Sequence, residues 1–381
     1  MKKVWDKWTR IALVKRIMVG LILGAILGIA VPQATGIAIL GDVFVSALKA
    51  IAPLLVFFLV ISSLCNAGKS HGGVIKTVII LYMFSTVLAA VIAVFASMAF
   101  PVKMTLANAA TDTSAPQGIV EVLNNLLLNV VANPVSSLVN ANYVGILMWA
   151  VLLGLAFRAA DKMTKKVLAD VADGISMVVT WIINLAPFGI FGLVFNTVST
   201  NGLDIFTTYG KLLLLLVGCM LFIYFVTNPL LVYWCIRQNP YPLIFHCLKR
   251  SALTAFFTRS SAANIPVNMK VCEEMGLDRD TYSVTIPLGA TINMDGAAIT
   301  ITVMTMATAF TLGIHVDIPT AIILSLLAAL SACGASGVAG GSLLLIPMAC
   351  SLFGISDDIS MQVVAVGFII GVVQDSVETA L

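Results

Sequence analysis

The chain is poor in charged residues. Asp, Glu, Lys and Arg make up only 10% of its 381 residues, whereas A, V, I, L, M, F, W, Y and C together make up 60%. In soluble domains about a quarter of the residues are charged. The shortage of charge therefore excludes a water-soluble fold, and a formal net charge of +3 is too small to indicate a nucleic-acid partner.

Histidine and paired cysteine are also scarce. The three histidines, His71, His246 and His315, form no recognisable motif with a serine, so a membrane enzyme with Ser260 or Ser261 as nucleophile lacks a base. The seven cysteines are odd in number and never form a C-x-x-C pair. Neither a disulfide framework nor a zinc site is indicated.

Apolar runs long enough to cross a bilayer are abundant. A crossing helix needs about 20 apolar residues. Such runs occur at roughly 11–31, 43–64, 74–100, 144–157, 175–198, 211–236, 283–313 and 361–381. The first run has the basic flank of a signal peptide, but it is too long and lacks a small-residue cleavage site, so we expect a retained helix. The expected fold class is an all-α integral membrane protein with eight transmembrane helices.

Basic residues predict the orientation of these helices. Most of the 21 Lys and Arg residues fall in the N-terminal segment or in loops that eight crossings place on the same side. The opposite loops carry mainly Lys103, Lys211, Asp112, Asp204, Asp317, Asp357 and Asp358. By the positive-inside rule, both termini should be cytoplasmic.

Two further apolar segments are interrupted in the middle. Residues 241–270 are broken by Thr258-Arg259-Ser260-Ser261, and residues 318–354 by a glycine-rich stretch around Gly337. Irregular backbone survives at membrane depth only where protein or a watery cavity satisfies its amides. The pattern predicts two re-entrant hairpins that meet at a binding site, as in transporters built from inverted repeats. Close packing by glycine, and a structural ion pair of Arg259, remain alternatives.

Polar residues follow each hairpin. Asp295, flanked by amide and hydroxyl groups, supplies hard oxygen ligands suited to Na⁺ or a proton at membrane depth, although a simple bond to a neighbouring helix would also explain it. Asp375, Glu378 and Thr379 share one helix face through their i, i+3 and i+4 spacing. Two acids and a hydroxyl on one face can hold an ammonium group.

Four motifs, taken together, resemble the dicarboxylate/amino acid:cation symporter family over nearly the whole chain. They are Thr-Arg-Ser-Ser at 258–261 with Ile-Pro-Val-Asn-Met at 265–269, Pro-Leu-Gly-Ala-Thr-Ile-Asn-Met-Asp-Gly at 287–296, Gly-Val-Ala-Gly at 337–340, and Asp375 with Thr379. Among family members, the chain is most similar to the bacterial ones that move serine and threonine with sodium. The resemblance implies a homotrimer in the bacterial inner membrane, with eight helices, two hairpins and an elevator-type movement.

The resemblance also divides the chain. Residues 1–72 and 118–237 would be mainly scaffold and trimerisation helices, and 73–117 the third helix with its loop. Residues 241–381 would be the transport core, composed of the first hairpin (241–270), seventh helix (280–313), second hairpin (318–354) and eighth helix (358–381). Family members carry an Asn and an Asp later in the last helix, so the resemblance implies that the sequence stops short at Leu381.

Ligand roles follow from the same resemblance. The substrate would be bound by Arg259, Ser260, Ser261, Val338, Ala339, Gly340, Gly341, Asp375, Glu378 and Thr379. Sodium ions, as cargo, would be bound at one site by Tyr82, Ser85, Thr86, Asn293 and Asp295. A second site would use Thr291, Ala332, Cys333 and Ala335, and a third would use Gly289 and Asn293. No organic cofactor is implied.

Two departures from the family's acidic-substrate members predict the substrate. Those members have an arginine where this chain has Glu378 and a threonine where it has Ala297. Glu378 would repel a side-chain carboxylate and accept a bond from a hydroxyl, so we expect serine, threonine or alanine. We also expect an Arg259–Glu378 ion pair, direct or bridged by a water molecule, that withholds Arg259 from acidic substrates. Sodium- or proton-coupled transport of acidic amino acids or dicarboxylates, and an ion channel, stay open as alternatives.

Overall fold

The computed structural model describes residue 11 and residues 13–66, 73–106, 127–203, 205–333 and 340–381, and these ranges contain helices and no strand. In chain order the helices are α1 (Leu13–Ala30), α2 (Ala38–Asn66), α3 (Gly73–Ala99), α4 (Pro134–Val139), α5 (Tyr143–Ala156), α6 (Lys162–Asn184), α7 (Ala186–Asn201), α8 (Ile205–Phe222), α9 (Asn228–Ile236), α10 (Tyr241–Cys247), α11 (Leu253–Thr258), α12 (Ser261–Glu274), α13 (Arg279–Ile292), α14 (Asp295–Thr311), α15 (Ile318–Ala332), α16 (Ile346–Ser351) and α17 (Asp357–Ala380). The all-α prediction is confirmed for this part of the chain.

Several of these helices could cross a membrane. Stretches long and apolar enough are Thr35–Asn66, Lys76–Ala99, Lys162–Asn184, Ile205–Ile236, Arg279–Thr311 and Asp357–Ala380. Large apolar side chains such as Ile26, Ile39 and Phe95 are more than half exposed on the outer faces. Exposed apolar faces of this length suit contact with lipid chains.

The predicted span at 175–198 is wrong as a single helix. α6 ends at Asn184 and α7 begins at Ala186, with Pro187 in its first turn. Proline has no amide hydrogen and cannot continue the hydrogen-bond ladder of the preceding helix. Hydropathy stays high across this junction, so the apolar run alone does not reveal the break.

Glycines bring α1 and α7 into backbone contact. A Cβ atom on Gly20 would lie 2.2 Å from the Pro187 carbonyl oxygen, and one on Gly24 would lie 2.6 Å from the Phe191 carbonyl oxygen. Only glycine allows two helices to approach this closely, a form of packing common in membrane proteins.

The first interrupted segment folds as a helix, a turn and a helix. A π-helical segment, Leu248–Ala252, joins α10 to α11, and α12 packs back against both this segment and α11. Arg259, with φ +54°, ends α11 in the left-handed conformation, and the Ser260 side chain caps α12 by accepting from the Ala263 amide at 3.2 Å.

The second interrupted segment is described on either side of its glycine-rich middle. α15 ends at Ala332, and a 3-10 turn, Ser342–Leu345, leads into α16. The predicted ligands Ala335, Val338 and Ala339 lie outside the described residues.

α14 forms the centre of the molecule. Every residue from Asp295 to Ala309 is buried, and the helix packs against α3, α15 and α17. Before it, α13 starts at a cap in which Asp278 accepts hydrogen bonds from Thr281. These bonds hold the pKa of Asp278, which lies outside the membrane-spanning segments, below its ordinary value.

Candidate functional site

A break in the predicted seventh helix creates the first part of the site. α13 ends at Ile292 and α14 begins at Asp295, while Asn293 (φ −98°, ψ 82°) and Met294 (φ −121°, ψ 52°) are not helical. The Asn293 amide still bonds to the Gly289 carbonyl, which closes α13. The break thus places Asp295 in the first turn of α14, where the helix dipole favours a negative charge.

Asp295 is bound by neutral hydroxyl groups of α3. The residue is 5% exposed. Ser85 Oγ donates to Oδ2 at 2.5 Å, and Thr86 Oγ1 lies 3.1 Å from Oδ1. The Met294 amide bonds to Thr86 Oγ1 at 3.3 Å. Within the described ranges no Lys, Arg or His makes a salt bridge to this carboxylate.

Other predicted cation ligands surround the same break. The Tyr82 hydroxyl donates to the Thr285 carbonyl at 3.3 Å, and a Cβ on Gly289 would lie 3.0 Å from that hydroxyl. The Cys333 thiol, next to Ala332 at the end of α15, lies 3.6 Å from the Ile292 carbonyl. The structure therefore gathers α3, the α13–α14 break and the end of α15 around one region.

Thr291 belongs to the last turn of α13, beside this region. Its hydroxyl donates to the Leu288 carbonyl at 2.8 Å. The hydroxyl is therefore engaged within its own helix, so a role for Thr291 as a ligand rests on its carbonyl, as the resemblance implies.

Arg259 forms an ion pair with Asp375. Arg259 Nε lies 2.7 Å from Asp375 Oδ2, and the two side chains are 10% and 4% exposed. The Gly340 amide donates to the other oxygen, Oδ1, at 3.2 Å. Asp375 thus connects the turn of the first interrupted segment, at Arg259, with the second interrupted segment, at Gly340.

The prediction of a direct Arg259–Glu378 ion pair is wrong, because among the described residues Arg259 pairs with Asp375 and makes no salt bridge to Glu378. Asp375 and Glu378 lie one turn apart on the same face of α17, and the turn at Arg259 reaches the earlier of the two. Glu378 is instead satisfied by neutral donors: Thr300 Oγ1 at 2.7 Å, Ser342 Oγ at 3.0 Å and the Gln374 amide.

Sequence reasoning missed these three donors. Gln374 precedes Glu378 by four residues, a spacing that places both on one helix face and could have identified it. Thr300 and Ser342 come from α14 and the 3-10 turn, and no local pattern links them to Glu378. Gly296 brings α14 close enough, since a Cβ there would lie 2.7 Å from Glu378 Cγ.

A small cavity of about 70 Å³ joins these groups. Its lining consists of Arg259, Ser261, Asn293, Met294, Asp295, Gly296, Ala297, Ser342, Asp375, Glu378, Thr379 and Leu381. Thr379 donates to the Asp375 carbonyl at 2.7 Å. Ser260 and Gly341 do not line this cavity, although both adjoin residues that contact it. Asp295, the carboxylate predicted to bind a cation, thus borders the same cavity as Arg259, Asp375 and Glu378, the charged groups predicted to bind the substrate.

Comparison with known proteins shows what the chain is similar to. The sequence profile described as the sodium:dicarboxylate symporter family matches residues 13–381. A protein of Bifidobacterium adolescentis named serine/threonine transporter SstT is 59% identical over 379 residues, covering 99% of this chain and 88% of the relative. A Streptococcus thermophilus protein of the same name is 55% identical over 382 residues, covering 100% and 95%. The resemblance drawn from the four motifs is confirmed.

Proposed function

Because the chain belongs to the sodium:dicarboxylate symporter family, we propose that it is a sodium-coupled symporter that imports small neutral amino acids, foremost L-serine and L-threonine. Membership in this family makes it a membrane transporter and not an enzyme. The observation that carries the proposal is the single cavity bordered by Asp295, by the Arg259–Asp375 pair and by Glu378.

A zwitterionic amino acid matches the Arg259–Asp375 pair. The substrate carboxylate would take the place of Asp375 beside Arg259, and the substrate ammonium would take the place of Arg259 beside Asp375. Each charged group exchanges one partner for another, so no buried charge is left alone. Backbone amides near Gly340 and Gly341 and the hydroxyl of Ser261 would complete the carboxylate contacts.

Glu378 selects against acidic substrates. A side-chain carboxylate in the same cavity would face a carboxylate at close range in a low-dielectric space, which costs several kcal/mol. Aspartate, glutamate and dicarboxylates are therefore disfavoured, although the family description includes dicarboxylate transport. Ala297 leaves room for a small neutral side chain.

Sodium would bind where Asp295 meets neutral donors. Ser85 and Thr86 can rotate their hydroxyl hydrogens away and present oxygen lone pairs to a cation. Together with Asn293, Tyr82 and Asp295 they offer the oxygen-only environment that Na⁺ prefers. The second set, at Thr291, Ala332 and Cys333, would use the carbonyls beside the same break, where the Cys333 thiol lies 3.6 Å from the Ile292 carbonyl.

The wider architecture in this proposal has eight crossings and two re-entrant hairpins. The helix–turn–helix of residues 241–274 and the arms of α15 and α16 are the hairpins, and residues 241–381 move across the bilayer as a transport core against a trimeric scaffold. The N-terminus is cytoplasmic, and the membrane is the bacterial inner membrane.

The experiment uses the full chain reconstituted in lipid vesicles. We expect saturable uptake of labelled serine when an inward sodium gradient is applied, and none when choline replaces sodium. Excess threonine should compete, whereas excess aspartate should not. Uptake that does not saturate would indicate a channel, and competition by aspartate would contradict the role of Glu378.

A further inference from the structure

All three hydrogen bonds to Glu378 end on the same oxygen atom. Thr300, Ser342 and Gln374 all donate to Oε2. Across the ranges that the structure describes, Oε1 receives no hydrogen bond, and it is not one of the enclosed polar atoms that lack a partner. Because Glu378 lines the 70 Å³ cavity, Oε1 is the oxygen that this carboxylate presents to it.

The direction of each hydrogen in this network follows from the donor inventory. Gln374 Nε2 carries two hydrogens, and it lies within bonding distance of both Glu378 Oε2 and, at 2.7 Å, Thr300 Oγ1. Thr300 therefore accepts from Gln374 and has one hydrogen of its own to give. Glu378 Oε2 lies 2.7 Å from Thr300 Oγ1 and the Gly296 carbonyl lies 2.9 Å from it, so the nearer acceptor, Glu378, receives that hydrogen.

We propose that Thr300 and Gln374 are positioning residues that turn Glu378 so that its Oε1 accepts the hydroxyl of the substrate. The proposal rests on the function proposed above and adds the origin of the preference for hydroxyl amino acids over alanine. A site built to bind a hydroxyl rejects the analogue without one, because its buried polar atom is then left unpaired.

A different role for Oε1 would be to bind the substrate ammonium. Every amino acid has an ammonium group, whereas only serine and threonine among the small neutral ones have a side-chain hydroxyl. If Oε1 binds the ammonium, disturbing it weakens the binding of alanine and of serine equally. If Oε1 binds the hydroxyl, disturbing it weakens the binding of serine selectively.

The test measures affinities of serine and alanine by competition against labelled serine, in vesicles containing the full chain and a sodium gradient. In Thr300→Val, which removes only the hydroxyl, we expect the affinity for serine to fall about tenfold and that for alanine to change less than twofold. Gln374→Met should lower the ratio of serine affinity to alanine affinity as well. Thr300→Ser, which keeps the hydroxyl, should leave this ratio unchanged.

Thr302→Val is the matched control. Thr302 is a fully buried threonine on the same helix whose hydroxyl has no hydrogen-bond partner among the described residues, so its loss should leave the ratio unchanged. Equal weakening of serine and alanine in Thr300→Val or Gln374→Met, or no change in either, would overturn the proposal. If Thr300→Val does not fold, Gln374→Met alone tests the proposal. Absence of sodium-dependent uptake in the unmodified chain would instead overturn the proposed function, and this inference with it.

Discussion

Two buried aspartates in the same molecule are satisfied in opposite ways. Asp295 accepts hydrogen bonds from the neutral hydroxyls of Ser85 and Thr86, whereas Asp375 forms an ion pair with Arg259 at 2.7 Å. A carboxylate with neutral partners keeps its full negative charge available to a cation. A carboxylate already paired with a cation is available only to a ligand that brings a replacement for both charges.

The difference teaches how one cavity can distinguish an ion from an amino acid. In the proposed function, sodium would meet a carboxylate with only neutral partners at Asp295, whereas at Asp375 a bare cation would have to compete with the Arg259 guanidinium. A zwitterion meets no such obstacle, because it supplies one charge to each member of the pair. Both residues are aspartates, so the difference in the expected ligand comes from their partners, which are hydroxyl groups at Asp295 and a guanidinium at Asp375.

The largest expected effect is that of Asp295→Asn, which removes the uncompensated charge. Sodium affinity should fall by roughly 100-fold or more, since stranding a buried ion costs about 3 kcal/mol, and sodium-coupled serine uptake should be lost. The measurement is uptake against sodium concentration, with membrane insertion checked on the same samples. Asp173→Asn, at an exposed position on α6, is the control, and unchanged sodium dependence of Asp295→Asn would contradict the cation site.

Next in size is the effect of Asp375→Asn. Binding of every amino-acid substrate should weaken by about 2 kcal/mol or more, because the bond to the substrate ammonium loses its charge. Competition by serine, threonine and alanine measures this, and a loss confined to one of them would argue for side-chain recognition instead.

Arg259→Gln should also lower serine transport, and it should not create binding of aspartate, because Glu378 remains.

A smaller effect is expected for Ser85→Ala. One neutral hydroxyl is lost while the Asp295 carboxylate stays, so sodium affinity should drop by about 1 kcal/mol, or roughly fivefold. The sodium concentration for half-maximal uptake gives this value. Ser97→Ala is a suitable control, because Ser97 is a buried serine of the same helix whose hydroxyl, within the described part of the chain, bonds only to the Ala93 carbonyl. A loss as large as that of Asp295→Asn would mean that the hydroxyls, and not the charge, hold the ion.

The smallest effect should come from an exposed ion pair. Lys49 on α2 lies 3.2 Å from Asp357 and 2.7 Å from Asp358, at the start of the helix that carries Asp375. Because Asp358 is 87% exposed, Lys49→Gln should alter thermal stability by less than about 1 kcal/mol. Melting of the detergent-solubilised protein at low and high salt would measure it, and a loss of stability well above about 1 kcal/mol that persists at high salt would contradict the assignment.

The sequence located the turn of the first interrupted segment but not the other breaks. Arg259 stands out because a charge interrupts an apolar run. The break at Asn293 and Met294 lies inside the predicted seventh helix, and the junction at Leu185 is not visible because hydropathy stays high across it.

Partner choice could not be read from the sequence either. Asp375 and Glu378 share one helix face, and a displacement of one turn decides which of them meets Arg259. Thr300 and Ser342 lie far from Glu378 in the sequence, so only the packing of α14 and the 3-10 turn against α17 reveals them.

The contact at Gly296 has a mechanical consequence. The absence of a side chain there lets the backbone of α14 rest directly on Glu378, with 2.8 Å between a would-be Cβ and the Glu378 Cα. Asp295 is the adjacent residue, so the proposed ion site and the proposed amino-acid site are joined by direct backbone contact. In the proposed mechanism neither site can move across the bilayer without the other, so sodium would not cross without the amino acid.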